Sequence, residues 1–227
     1  MKTTPLFTTL CLLACPLFAA DSTPKDDITA AAKKLAEKAN YSWKTTTVVP
    51  ESARFKPGPT EGKTEKDGFT YATVSFGENV TEIALKGEKV VITGQDGAWQ
   101  LASELESGEG RGRFLGRIAR NLKPAAAQAG DLVGAVKELK KEGDVYSGDM
   151  TEEGAKKQFR FGEPKNPKGS VKFWVKDGVL TKFETKVEAK MEFNGDEIDA
   201  SRTTTTEIKD VGATKVNVPA EAKKKLS

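Results

Sequence analysis

Histidine is absent from this 227-residue chain, and cysteine occurs only twice. Without histidine no Ser-His-Asp or Cys-His arrangement can form, and histidine-ligated zinc and iron sites are excluded as well. Cys11 and Cys15 both lie in an apolar N-terminal run, so the chain beyond it has no thiol or disulfide chemistry. An excess of one charge is also lacking, with 36 Lys and Arg against 33 Asp and Glu. Nucleic-acid binders carry a strong basic surplus, which this composition does not supply. No stretch after the N-terminal run is apolar enough to span a bilayer. Catalysis would have to rest on carboxylates, lysines, hydroxyls or a bound ion. The carboxylates alternate with lysine along predicted strands, which suits a wet surface better than an acid/base pair. Walker A, dinucleotide and calcium-loop spacings are missing. The expectation is a non-enzyme that uses no metal and no cofactor.

The first twenty residues hold one lysine followed by an uncharged stretch from Leu6 to Ala20. The stretch is too short for a transmembrane helix and reads as an export signal, cleaved after Ala19 or Ala20. Leu12-Leu13-Ala14-Cys15 also resembles a lipobox, which would lipidate Cys15 and anchor the chain to a membrane. Residues 21–227 are then expected to form one domain, periplasmic or extracellular, with a helical insertion at about 102–141.

Thr23-Pro24-Lys25-Asp26 opens a helix with a capping box and proline at the first position. Ile28, Ala31, Ala32, Leu35 and Ala39 form its apolar stripe. From Tyr41 the period changes to two, with Tyr41, Trp43, Thr45, Thr47 and Val49 on one face. Pro50 to Gly68, with three prolines and three glycines, reads as a long mobile loop.

Gly77-Glu78 and Gly87-Glu88 are type II′ hairpin signals. The first turn sets Val74 against Thr81 and Ala72 against Ile83. The second sets Leu85 against Val90 and Ile83 against Ile92. Two separate turns thus place Ala72, Val74, Ile83, Leu85, Val90 and Ile92 on one face, and a one-residue slip would scatter them. Helices are expected from Arg111 to Leu122 and from Pro124 to about Lys140. A strand follows near Val145-Tyr146, and a further helix begins at Thr151.

From Val179 to Phe193 every odd position is Val, Thr, Phe, Ala or Met, while the even positions from Lys182 to Glu192 alternate Lys and Glu. Such a strand is buried on one side and wet on the other. Asn194-Gly195 is a type I′ turn signal, setting Met191 against Ile198 and Val187 against Arg202. A three-residue loop, Lys176-Asp177-Gly178, is expected to align Val171, Phe173 and Val175 with Phe183, Thr181 and Val179. A last strand from Ala213 to Val218 precedes Pro219 and a short basic helix.

An N-terminal helix, a meander, a helical insertion and long hairpins ending near Pro219 together resemble the LolA-like and mycobacterial-lipoprotein half-barrel carriers. Asn40-Tyr41-Ser42-Trp43, the stretch from Gly169 to Gly178 and the run from Val211 to Ala222 are similar to segments of exported bacterial proteins. The resemblance implies an α+β fold, a strongly curved antiparallel sheet of long hairpins with helices covering its concave face. It also implies a binding role, with a lipophilic ligand or lipoprotein acyl chain held between sheet and helices. The hypothetical lining is Ala72, Val74, Ile83, Leu85, Val90, Ile92, Phe183, Val187, Met191 and Arg202. Such a lining suits an ordinary filled core equally, which would make the protein an interaction module of the cell envelope. Arg202 faces the apolar side, so it either orients an anionic group or pairs structurally. Arg111, Arg113, Arg117 and Arg120, four of seven arginines, form either a face for an anionic partner or a solvated helix side. Gly108, Gly110, Gly112 and Gly116 around them read as a hinge or lid.

Overall fold

The computed structural model describes residues 22–53, 56–77, 79–94, 96–159, 162–193 and 195–227. The export-signal and lipobox readings, Cys15 included, lie outside these residues. The elements in chain order are α1 (Pro24–Ala36), β1 (Asn40–Val48), β2 (Thr60–Glu65), β3 (Thr70–Phe76), β4 (Asn79–Lys86), β5 (Lys89–Thr93), β6 (Trp99–Leu101), α2 (Ala102–Ser107), α3 (Gly110–Arg120), α4 (Ala125–Gly134), β7 (Lys140–Glu142), β8 (Val145–Asp149), α5 (Glu152–Lys156), β9 (Lys165–Lys176), β10 (Val179–Phe193), β11 (Asp196–Asp199), β12 (Arg202–Lys209) and α6 (Ala220–Leu226). All the strands join one open antiparallel sheet in the order β6-β5-β4-β3-β2-β1-β12-β10-β9-β8-β7, with β11 pairing β10.

Local chemistry accounts for most of these elements. In α1 the Thr23 hydroxyl accepts from the Asp26 amide, and the Asp26 carboxylate accepts from the Thr23 amide, so two otherwise unpaired donors are satisfied. The helix ends at Ala36, leaving Ala39 exposed and outside the stripe of Ile28, Ala31, Ala32 and Leu35. Gly87 takes a positive φ of 58°, and the register across that turn and the one before it is the expected one. Pairing at the far end also follows expectation, with Met191 opposite Ile198 and Val187 opposite Arg202.

Four expectations are corrected. The segment from Pro50 to Gly68 contains β2, which lies inside the sheet between β1 and β3. Its core-facing centre is Gly62, which supplies no apolar signal and lies under the Trp43 ring. The turn before β10 has two residues, Asp177 and Gly178, at φ 53° and 71°. A bulge between Leu180 and Lys182 then restores the phase, so Phe173 faces Phe183 and Val171 faces Thr185. The extra residue, Thr181, donates its hydroxyl to the Trp174 carbonyl at 3.1 Å, and such bulges bend a sheet. Helix α4 stops at Gly134, because the chain turns there to bridge Val136 to Met150 and enter β7. Residues 102–107 open the expected helical insertion as α2. Ala213 to Val218 joins no strand ladder. That segment is tied instead by the Thr214 amide to the Asn40 side chain at 2.7 Å.

The inner face of the sheet carries two apolar clusters. The larger joins α1, α4 and α5 to β8, β9, β10 and β1 through Ile28, Leu35, Tyr41, Trp43, Ala129, Ala155, Phe173, Phe183 and Val187. The smaller joins α2 and α3 to the meander through Val74, Ile83, Ile92, Ala102, Leu115, Ile118 and Ala119. On the opposite face of the meander, Ala222 and Leu226 of α6 cover Ala84, Val91 and Trp99. Helices therefore pack on both faces at this end of the sheet.

Candidate functional site

The ten residues expected to line a ligand space do share the inner face, but they are divided between the two clusters. Ala72, Phe183 and Val187 belong to the larger, with Met191 packed at its margin. Val74, Ile83 and Ile92 belong to the smaller, with Val90 at its margin. Leu85 is buried in neither. The break falls within β3, between Ala72 and Val74, and Leu122 packs against both sides of it. These side chains are closed over by helices.

Depressions of the surface lie elsewhere. One of about 330 Å³ sits between α1 and the β7–β8 and β9–β10 turns and is lined by Asp27, Ala31, Lys141, Asp144, Tyr146 and Asp177. Another of about 690 Å³ runs over β8 and β9, lined by Lys137, Glu138, Lys140, Asp149, Ser170 and Lys172. Neither touches any of the ten residues.

Arg202 occupies the predicted register position, and its surroundings give it a structural role. Its guanidinium donates to the Gln158 carbonyl and lies 4.4 Å over the Phe159 ring. It clamps the end of the α5 segment to β12. Both partners come from a turn distant in sequence, which strand patterning alone does not reveal.

The α2–α3 hairpin covers the smaller cluster. Leu115, Ile118 and Ala119 point at Val74, Ile83 and Ile92, while Arg111, Arg113, Arg117 and Arg120 are exposed. Gly116 belongs to the packing: a Cβ there would stand 2.7 Å from the Ala102 carbonyl oxygen and 2.7 Å from the Glu106 nitrogen. Only Gly108 and Gly110 of the glycine run lie where a hinge would, at the α2–α3 junction.

Shifted ionisations have structural causes. The Tyr71 hydroxyl is pushed far up by burial and by its bond to the Glu82 carboxylate, and burial raises Tyr41. Asp27 is held below the usual carboxylate range by the hydroxyls of Ser22 and Tyr146 and by Lys141. Among the described residues no group of three or more acids could hold a metal ion. Buried hydroxyls pair with each other instead, as Thr45 does with Thr206 at 2.7 Å. Threonines carry the inner face across β1 and β12 where aliphatics are sparse, and their pairing across the two strands is what the sequence alone did not reveal.

An open antiparallel half-barrel with helices packed on its inner face defines the class. No protein-family model matches the sequence, and no curated protein matches it. Solved structures do. The lipoprotein LppX of Mycobacterium tuberculosis is 12% identical, with a TM-score of 0.51 over 86% of this chain and 97% of that one. LprF from Mycobacterium bovis is 10% identical (TM-score 0.44, over 87% and 96%). A LolA superfamily protein from Nitrosomonas europaea is 9% identical (TM-score 0.38, over 86% and 96%). The chain thus shares an open antiparallel half-barrel fold with LppX over nearly the whole length of that protein. No helix among the described residues is long and apolar enough to cross a membrane.

Proposed function

We propose that the protein is an exported, non-catalytic binding protein of the cell envelope that takes up a lipophilic chain between the meander and the α2–α3 hairpin. On this reading residues 1–20 direct export and residues 21–227 form the binding domain. The observation that carries it is the smaller cluster. Val74, Ile83 and Ile92 are covered by Leu115, Ile118 and Ala119 of a hairpin held between Leu101 and Leu122. That cluster is separate from the main core, so lifting the hairpin uncovers an apolar trough while the main core stays closed. The resemblance of the chain order to the half-barrel carriers implies an apolar hollow between sheet and helices. The inner face offers aliphatic carbon and threonine hydroxyls, which suit a lipid chain and give no acid/base pair.

A second reading is favoured by a specific observation: the inner-face residues are packed as a filled core. Under it the protein is an envelope interaction module without a small ligand. Mass spectrometry of lipids released from natively purified protein separates the two. Co-purifying acyl lipid and binding of a fluorescent fatty acid are expected. No lipid together with no probe binding would leave the interaction module. Intact-mass analysis of the exported form distinguishes processing near Ala20 from lipidation at Cys15.

A further inference from the structure

Charge on this protein is mixed along the strands and segregated most strongly at α3. Along β10 lysine and glutamate alternate, and Lys186–Glu188 and Lys190–Glu197 pair at 2.7 and 2.6 Å. Residues 110–123 are different, with four arginines, Lys123 and no acid. The whole chain carries a surplus of only +3, so the rest of it is net negative. Arginine is also chosen here over lysine, and its guanidinium fork engages phosphate oxygens in pairs.

The geometry of α3 gathers this charge on one side. Leu115, Gly116, Ile118 and Ala119 hold the helix down, and Arg113, Arg117 and Arg120, spaced i, i+4 and i+7, form one stripe facing away. Arg120 is bonded to Glu106 at 3.0 Å. Arg111, Arg113 and Arg117 make no ion pair with any described residue. Beside the stripe stands Phe114, 39% exposed, its ring edge-on to Phe76 at 6.2 Å. Among the described residues it is the exposed large aromatic; the other exposed large apolar residues are valines. With its apolar side packed on the protein, α3 leaves a cationic stripe for anionic headgroups and one exposed phenylalanine for the boundary with the acyl chains.

We propose that α3 docks the protein on an anionic phospholipid surface, the guanidinium groups meeting lipid phosphates and Phe114 entering the boundary with the acyl chains. This goes beyond the binding role proposed above and does not depend on it, since the arginine stripe faces away from the smaller cluster and needs no cargo.

The test is co-sedimentation of the purified protein with phosphatidylcholine vesicles and with vesicles that also contain phosphatidylglycerol. Binding to the second and not the first is expected, and it should weaken sharply between about 0.1 M and 1 M salt, where screening shortens from about 10 to 3 Å. Each arginine near such a surface contributes roughly fivefold to partitioning, so Arg113→Gln with Arg117→Gln should weaken binding about 25-fold. Arg113→Lys with Arg117→Lys should keep most of it. Phe114→Ser should weaken binding in a way that added salt does not remove. Circular dichroism and thermal melting of each variant show that the fold is kept. Neutralising Lys223, Lys224 and Lys225 of α6, the other basic helix, should leave binding intact. The proposal is overturned by equal binding to both vesicle types, by no binding at low salt, by an unaffected double glutamine variant, or by loss of binding on neutralising α6. Capture by an acidic polymer with no binding to vesicles overturns it as well.

Discussion

Replacing Gly62 by alanine tests whether β2 is a true central strand. Gly62 pairs with Trp43 on one side and with Ala72 on the other. Trp43 is 3% exposed, and its indole N–H donates to the Thr64 hydroxyl at 3.4 Å. A Cβ on Gly62 would overlap Cε2 and Cζ2 of that indole. The ring belongs to the larger cluster and has little freedom to rise. Overpacking of this kind costs about 1–3 kcal/mol, while removing a strand glycine returns roughly 0.5–1 kcal/mol. Expulsion of the indole would set the upper limit, about 3–5 kcal/mol for a buried tryptophan. The expected net loss is about 1–4 kcal/mol, or roughly 2–15 °C in Tm for a domain of this size. Urea unfolding followed by tryptophan fluorescence and by circular dichroism measures it. In a Trp43→Leu background the same change should cost less than about 1 kcal/mol, because the clash is gone. An effect within about 0.5 kcal/mol of zero, or equal costs in the two backgrounds, would refute the placement of β2.

Two further glycines should respond with opposite signs in the same titration. Gly116→Ala, pressed against Ala102 and Glu106 at 2.7 Å, should lose about 1–2 kcal/mol and loosen the α2–α3 hairpin. Gly130→Ala, exposed in α4 with nothing within 4 Å of the new methyl, should gain about 1 kcal/mol. Asp27 gives a pH signature. Its carboxyl is held below the ordinary value of 3.8 by Ser22, Tyr146 and Lys141. The stability it adds is therefore present above that value and is lost as pH falls through the lower folded value. Asp27→Asn should lower the urea midpoint near neutral pH, with the difference from wild type closing in strong acid; a constant difference would refute the assignment.

What was legible in the sequence was what short-range chemistry decides. The Gly87-Glu88 turn, the capping box at Thr23 and the unbroken alternation of β10 each carry their geometry within a few residues. Several of the registers followed, to the residue. The features that escaped depend on a distant partner. Gly62 makes sense only under Trp43, and the end of α4 makes sense only once Val136 bridges Met150. The three-residue loop expected at Lys176-Asp177-Gly178 gives way to a two-residue turn because the phase is restored further on, by the bulge at Thr181. Similarly, alternation placed Ala72, Ile83 and Phe183 inward, but it carries no information on what fills the space in front of them. For Ile83 that depends on Leu115 and Ile118, which lie more than thirty residues further along the chain, and for Ala72 and Phe183 on the helices of the larger cluster. The face of Arg202 was legible and its partner was not, for the same reason.

If the proposed lipophilic chain enters under the α2–α3 hairpin, closure of that hairpin sets a threshold for it. Leu115 and Ile118 are 5% and 6% exposed, and burying two such side chains is worth about 3–6 kcal/mol. An open form is then populated at roughly one part in 10² to 10⁴ without ligand, and the apparent affinity of any ligand needing it falls by that factor. A chain that replaces those contacts gains about 0.8 kcal/mol for each methylene removed from water. Offsetting the closure takes about four to eight methylenes before any net affinity appears. Short fatty acids would therefore leave the hairpin shut, whereas a membrane-length acyl chain has carbon to spare. On this arithmetic, a filled smaller cluster in the ligand-free protein is what a binder selective for long chains would show.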